Sequence, residues 1–453
     1  MRVIVVGCGK IGSTIVGGLL NEGHDVTVVD SSAHVITETT NIFDVRCVCG
    51  NGTDYEVLAD AGAATADLII AITGSDEFNM LSCFIAKRMG TQHSIARIRN
   101  PEYNDSSLGF LKKELGLSRA INPELVVAKE LANILKLPSA AKVETFSHGK
   151  FEMIELNLKQ DSLLDGISLI DLRKKYTEKF LVCVVERGNE IYIPDGNFVL
   201  KSGDKIGILA ATTEIQRLLK KLGLMKKQAR NVMILGATHT SYYLAKMLLA
   251  SGNTVKIIDS DIERCKAFAD ELHDAVIING DGVHEELLIE EGIKNVDAFV
   301  TLTGHDEQNI LVSYFAQMQN VPKVITKVTR SEYTETAEKL GLESLASPRQ
   351  TILDILVRYV RALENSKGSV VETLYKIMDG NAEALEFKVD NDCDIIGVPL
   401  KNLKTKDNIL VAGIVRGRQN IIPSGDDTVE AGDYVIILSA GHKVQTLSDI
   451  VKR

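Results

Sequence analysis

The stretch that decides the fold is Val3-Ile-Val-Val-Gly7-Cys8-Gly9-Lys10-Ile11-Gly12. Four apolar β-formers run into a G-x-G-x-x-G, and helical spacing takes over from Ile11 to Asn21. A second apolar run, Val26-Thr-Val-Val, ends at Asp30, 18 residues beyond Gly12. Strand, glycine turn, helix, strand and acid in that order read as a mononucleotide-binding βαβ unit. Gly7 permits the tight turn, Gly9 lets backbone approach phosphate, and Gly12 allows close helix–sheet packing. The helix N-terminus offers free N–H groups and the positive end of its dipole. Asp30 is placed to hydrogen-bond an adenosine ribose, and its charge favours NAD(H) over a 2′-phosphorylated cofactor.

Outward from this stretch the pattern continues. Apolar runs at Leu68–Ile72 and Ile95–Ile98 alternate with amphipathic stretches such as Glu77–Met89. Short runs with few polar interruptions suit a parallel sheet covered on both faces. Ligands gather beyond the carboxyl ends of such strands. Ser31, Asn51, Gly52, Thr53, Thr73 and Asp76 follow those ends and join the candidate site. Arg97 and Arg99 lie on or just after the Ile95 run; one neutralises a phosphate, or both are exposed charges of an edge strand.

The whole plan then occurs twice. Val232-Met-Ile-Leu-Gly236 repeats Val3–Gly7 after 229 residues, and Val255-Lys-Ile-Ile-Asp259 repeats Val26–Asp30. Thr303-Gly304-His305-Asp306-Glu307 repeats Thr73–Glu77, and Arg416-Gly417 repeats Arg187-Gly188. A steady shift with two copies means one tandem duplication rather than a solenoid. Each half carries a doubly wound first part and a β-rich second part with turns such as Pro194-Asp195-Gly196. The expected fold is therefore α/β: two tandem repeats, each a Rossmann-like parallel sheet followed by a small α+β domain. The domains are expected at 1–137, 138–226, 227–364 and 365–453. The second loop, Gly236-Ala237-Thr238-His239-Thr240-Ser241, keeps only its first glycine, although Asp259 survives as a candidate ribose ligand. Threonine and serine add bulk where backbone should meet phosphate, so an empty pseudo-site or a mononucleotide site is expected there rather than ordinary dinucleotide binding.

With 453 residues, 45% hydrophobic and 25% charged, the chain has ample material for several packed cores. Its 51 basic and 61 acidic residues give a net charge of −10, which disfavours a nucleic-acid partner. No apolar run reaches the ~20 residues that span a bilayer, and Met1–Gly12 lacks a secretion-signal pattern, so a cytosolic protein is expected. Seven scattered cysteines without C-x-x-C read as small buried hydrophobes, with no metal site expected. Lys220, Lys221, Lys226 and Lys227 read as a solvated linker face.

These residues resemble the cytoplasmic regulators of potassium conductance, the RCK or KTN family. The supporting stretches are Val3–Gly12, Gly50-Asn-Gly-Thr-Asp54, Ile72-Thr-Gly-Ser-Asp-Glu77 and Ala96-Arg-Ile-Arg-Asn-Pro-Glu-Tyr103. The resemblance covers nearly the whole chain and implies RCK N-terminal and C-terminal domains in each half. It implies NAD/NADH, and ATP or ADP, as ligands, with Gly7, Cys8, Gly9, Lys10, Ile11, Gly12, Asp30, Asn51 and Arg97 at the nucleotide. It implies a homo-oligomeric ring, a tetramer of two-repeat chains, peripheral on the inner face of the cell membrane. The partner it implies is an integral-membrane potassium-translocating subunit of the TrkH or TrkG kind, in a Trk/Ktr-type transporter. On this reading there are no catalytic residues: nucleotide is sensed, and ring shape controls potassium flow. The alternative is an NAD-dependent dehydrogenase, disfavoured because the nine histidines are dispersed and no distinct substrate domain follows the first unit. A free-standing nucleotide- or ion-binding oligomer is a third reading.

Overall fold

The structure, a computed structural model, describes every residue except Glu102, Asn104, Asp161, Asn189, Lys226, residues 365–370 and Arg453. The expected domain limits at Lys226, Asn365 and Arg453, and the Lys226 member of the basic run, lie outside the described residues.

The first lobe is built from β1 (Arg2–Val6), α1 (Lys10–Asn21), β2 (Asp25–Asp30), α2 (Ala33–Ile42), β3 (Arg46–Cys49) and α3 (Tyr55–Asp60). It continues through β4 (Leu68–Ala71), α4 (Asp76–Met89), β5 (His93–Arg97), α5 (Asp105–Leu115), β6 (Arg119–Ile121) and α6 (Pro123–Lys136). The sheet runs β3-β2-β1-β4-β5-β6 with parallel neighbours, Val3 opposite both Val26 and Leu68. Strand order reverses between β1 and β4, and a crevice opens beyond the strand ends at such a point. The near-continuous apolar strands follow from burial on both faces, Ile4, Val5, Ile69 and Ile70 being at most 2% exposed. β5 is an interior strand, so Arg97 does not sit on an edge as one sequence reading had it.

The first small domain comprises β7 (Lys142–Phe146), β8 (Phe151–Asn157), α7 (Leu169–Lys175), β9 (Phe180–Arg187), β10 (Glu190–Tyr192), β11 (Lys205–Ala211) and α8 (Thr212–Lys221). Its antiparallel sheet runs β10-β9-β11-β8-β7. The second parallel sheet holds β12 (Asn231–Leu235), β13 (Thr254–Asp259), β14 (Val276–Asn279), β15 (Ala298–Thr301), β16 (Lys323–Lys327) and β17 (Leu345–Ala346), in the order β14-β13-β12-β15-β16-β17. Its helices are α9 (His239–Ala250), α10 (Ile262–Glu271), α11 (Glu285–Glu290), α12 (Asp306–Met318), α13 (Thr334–Lys339) and α14 (Pro348–Glu364). The last sheet, β18 (Val371–Ile377), β19 (Ala382–Lys388), β20 (Ile409–Arg416), β21 (Gln419–Ile421) and β22 (Tyr434–Ala440), runs β18-β19-β22-β20-β21. Both halves thus have the same topology, as the duplicated sequence requires.

The chain separates into two compact units: residues 1–129 with 237–246 and 347–357, and residues 130–236 with 247–346 and 358–453. In the first unit, Leu353 fills the space over Gly18, where a Cβ would come within 2.1 Å of its methyl group. In the second unit one core draws on both small domains, including Phe146, Phe151, Met153, Met378, Ala384 and Leu438. Glu386 accepts from the Ser147 amide and hydroxyl, and Glu155 accepts from the Met378 amide at 3.2 Å. The recurring Arg-Gly pairs close hairpins here. Arg187 and Arg416 fork onto the buried carboxylates of Asp204 and Asp433, and each following glycine has positive φ.

Candidate functional site

β1 ends where Gly7 turns with φ +92°. A Cβ on Gly7 would stand 2.9 Å from the Thr73 methyl, so only glycine lets the turn press against the loop after β4. Gly12 is needed as strictly, because its Cβ would fall 2.1 Å from the Gly7 carbonyl oxygen. Gly9 differs: nothing lies within 4 Å of where its Cβ would be. It is exposed at the N-cap of α1, with no side-chain cap and no acidic residue in the first turn. The first-turn amides of Lys10, Ile11 and Gly12 have no acceptor within the helix and lie at the positive end of its dipole, next to the open space at Gly9, which suits an anion.

Asp30 lies beside this loop. One carboxylate oxygen accepts from the Cys8 amide at 2.8 Å and the other from the Ser32 amide at 2.9 Å. The acid thus fixes the glycine loop to the end of β2, a structural task additional to any contact with a ribose. Ser31 lies between the acid and the α2 N-cap Ser32. The Cys8 thiol is buried and pushed up by that burial; it accepts from the Thr39 hydroxyl at 3.3 Å and packs rather than reacts. All seven cysteines are free thiols. Cys8, Cys83, Cys183 and Cys265 are buried as expected, whereas Cys49 is exposed because β3 is an edge strand.

Asn51 accepts from the Thr53 amide and hydroxyl at 2.9 and 2.8 Å, which shapes the loop after β3. Gly52 is buried against β1, where a Cβ would meet Val6 at 2.3 Å. Asn51 and Thr53 stay on the accessible side of the loop after β3, while Gly52 serves packing. The Thr73 amide and hydroxyl both donate to the Asn79 side-chain oxygen at 2.7 Å, and Asn79 donates to the Arg97 carbonyl at 3.0 Å. Sequence reasoning passed over the fully buried Asn79, although its counterpart Asn309 makes the same bonds with Thr303 and the Lys327 carbonyl. The recurrence of Thr-x5-Asn was the available signal.

Asp76 turns away from the crevice. It is buried and accepts from the Arg99 and Asn100 amides at 2.7 and 2.8 Å. Arg97 is also committed, paired with Glu124 at 2.5 Å with only a tenth of its side chain exposed. Arg99 is the cation left beside the loop after β4: its guanidinium donates to the Gly74 carbonyl and approaches Asp76 at 3.5 Å. The structure brings Gly7, Gly9, Lys10, Ile11, Gly12, Asp30 and Thr73 together beyond the ends of β1, β2 and β4, and turns Gly52, Asp76 and Arg97 into the scaffold around them.

The second glycine loop is built differently. Thr238 stands where the first loop has Gly9, and its hydroxyl accepts from the Ser241 amide at 3.3 Å and meets the Ser241 hydroxyl at 3.0 Å. The start of α9 is capped by its own side chain. Asp259 accepts from the Asp261 amide at 2.8 Å, with the Arg264 guanidinium 4.0 Å from its other oxygen. Among the described residues, no group of His, Cys, Asp and Glu is arranged to hold a metal ion, and no helix is long and apolar enough to cross a membrane.

Fold and loop together define a class: tandem Rossmann-like domains with a dinucleotide-type glycine loop in the first, each followed by a small antiparallel domain. The TrkA-N domain model matches residues 3–123 and 232–348, and the TrkA-C domain model matches residues 153–223 and 384–452. The chain belongs to the TrkA family. It is 33% identical over 452 residues to the Trk system potassium uptake protein TrkA homolog of Archaeoglobus fulgidus, covering 100% of both chains. It is 30% identical to the Trk system potassium uptake protein TrkA of Haemophilus influenzae, over 98% of this chain and 96% of that one. Among solved structures, the GsuK RCK domain superposes with a TM-score of 0.65 at 16% identity, covering 97% of this chain and 92% of that chain. The GsuK channel bound to NAD gives 0.64 at 15%, covering 97% and 77%. These last two likenesses speak to fold.

Proposed function

We propose that the chain is a cytoplasmic regulatory subunit of a Trk-type potassium transporter whose first lobe holds NAD(H), or another adenine nucleotide, without consuming it. The observation that carries the nucleotide assignment is the uncapped, unobstructed N-terminus at Gly9, held in register with Asp30 through the Cys8 amide. Relatives named for Trk potassium uptake match end to end, which supports the transport role. Gly7, Gly9 and the amides of Lys10, Ile11 and Gly12 receive the diphosphate, Asp30 the adenosine ribose, and Asn51 and Thr53 the adenine side. Arg99 takes the place earlier given to Arg97 as the cation nearest the ligand. Occupancy then favours one arrangement of a homo-oligomeric ring, a tetramer, over another, by no more than the ligand's difference in affinity for the two. The ring docks on an integral-membrane potassium-translocating subunit of the TrkH or TrkG kind, at the inner face of the membrane. The four domains follow the limits 1–137, 138–226, 227–364 and 365–453.

Asp30→Ala tests the site. It removes the ribose acceptor and leaves the Cys8 and Ser32 amides without their acceptor, so NADH affinity by calorimetric titration is expected to fall at least tenfold, from about 1.5–3 kcal/mol for hydrogen bonds to a charged group. Unchanged affinity removes Asp30 from the site.

A further inference from the structure

Arg99 has two faces. Its guanidinium lies against Gly74 and Asp76, on the loop that flanks the crevice. Its backbone carbonyl accepts from the Tyr243 phenol at 2.7 Å and from the Asn122 side-chain amide at 3.3 Å. Asn122 also donates to the Tyr243 oxygen at 2.9 Å, closing a triangle, while its own oxygen caps α6 through the Leu125 amide at 2.9 Å. Tyr243 belongs to the second repeat: it sits on α9, seven residues beyond Gly236.

Among the described residues this tie has no duplicate. Counting from each first glycine, the residue matching Tyr243 is Thr14, whose hydroxyl returns to the Lys10 carbonyl of its own helix at 3.3 Å. The second repeat therefore supplies a phenol to the lobe with the complete glycine loop. Burial pushes the Tyr243 phenol up, which keeps it protonated as a donor.

We propose that Tyr243 is a positioning residue of the first-lobe site, supplied by the second repeat, and that it carries the occupancy of the crevice to α9. The inference rests on the nucleotide reading above. An anionic ligand beside Gly74 competes with the Gly74 carbonyl for the Arg99 guanidinium. When the side chain swings, the Arg99 peptide is held by Asp76 on its amide and by Tyr243 and Asn122 on its carbonyl. Any displacement of that peptide is thus handed to α9 rather than lost in a loose turn.

Hydrogen exchange on the full chain, with NADH as the probe, reads both ends. NADH is expected to change protection at residues 73–77 and at residues 240–246. Tyr243→Phe keeps the ring and removes the hydroxyl; it is expected to weaken NADH binding roughly fivefold, the worth of one hydrogen bond. At saturating NADH it should keep the change at 73–77 and lose it at 240–246. Asn122→Ser, which retains an α6 cap, should act in the same direction, with the melting temperature of the ligand-free chain as the control for folding. An undiminished response at 240–246 in Tyr243→Phe, or wild-type protection confined to 73–77, overturns the coupling. No response at either segment overturns the nucleotide reading, and the coupling with it.

Discussion

At the scale of single residues, Arg97 and Arg99 show how neighbours of the same type acquire different work. β5 ends at Arg97, which is trapped against Glu124, a residue 27 positions downstream. Arg99 leaves the strand and reaches Gly74. Arg97→Ala strips a largely buried carboxylate of its partner, so the expected loss is stability, up to about 3 kcal/mol by chemical denaturation, with nucleotide affinity little changed. Arg99→Ala should do the reverse: a modest stability change and several-fold weaker binding of NADH and ADP. If both variants lose affinity equally, the division of labour is wrong. The residue pattern narrowed a candidate phosphate cation to this pair and the family resemblance chose Arg97, whose pairing with the distant Glu124 no local pattern reveals. Asp76 hid its role for the same reason. Its place beyond the end of an apolar run suggested a ligand-facing group, yet its partners are the amides of Arg99 and Asn100. The packing tasks of Gly7 and Gly12 were legible because they are fixed by local backbone geometry.

Among elements, the two glycine-loop helices form a natural comparison. α1 begins bare at Gly9, and α9 begins with Thr238 capping the Ser241 amide. Gly9→Thr, which copies the second loop into the first, places its Cβ in open space at a φ of −64° that any residue adopts. It should fold with an unchanged melting temperature and lose NADH binding. Gly12→Ala, with its Cβ 2.1 Å from the Gly7 oxygen, should instead destabilise the lobe itself. A Gly9→Thr chain that still binds would show that the helix end is not the anion site. β7 supplies a pH-dependent prediction. Glu144 is buried, and burial raises its carboxyl pKa despite Lys142 at 2.8 Å. A raised folded-state value means its contribution is fully present below the ordinary glutamate value of 4.5 and is lost as pH rises through the higher folded value. Glu144→Gln should flatten that part of the stability–pH curve and raise the melting temperature at neutral pH. An unaltered slope would contradict it.

Across the whole molecule, the duplication made the fold readable, since a parallel-sheet pattern met twice leaves little choice of topology. The pairing inside the second unit was not readable. Glu386 and Glu155 hold the left-handed turns at Ser147 and Met378, and such reciprocal contacts across more than two hundred residues leave no periodic trace in sequence. Divergence of the repeats is itself functional on this reading: one loop stays open to nucleotide, while the other caps itself and lends Tyr243 to its neighbour. The most direct measurement is a calorimetric titration of the full chain with NADH, alongside Gly9→Thr, recovering the nucleotide afterwards. One NADH bound per chain, abolished by Gly9→Thr and recovered unoxidised, is the expected result. Absence of saturable binding, two equal sites that survive Gly9→Thr, or oxidised nucleotide in the recovered ligand would contradict it.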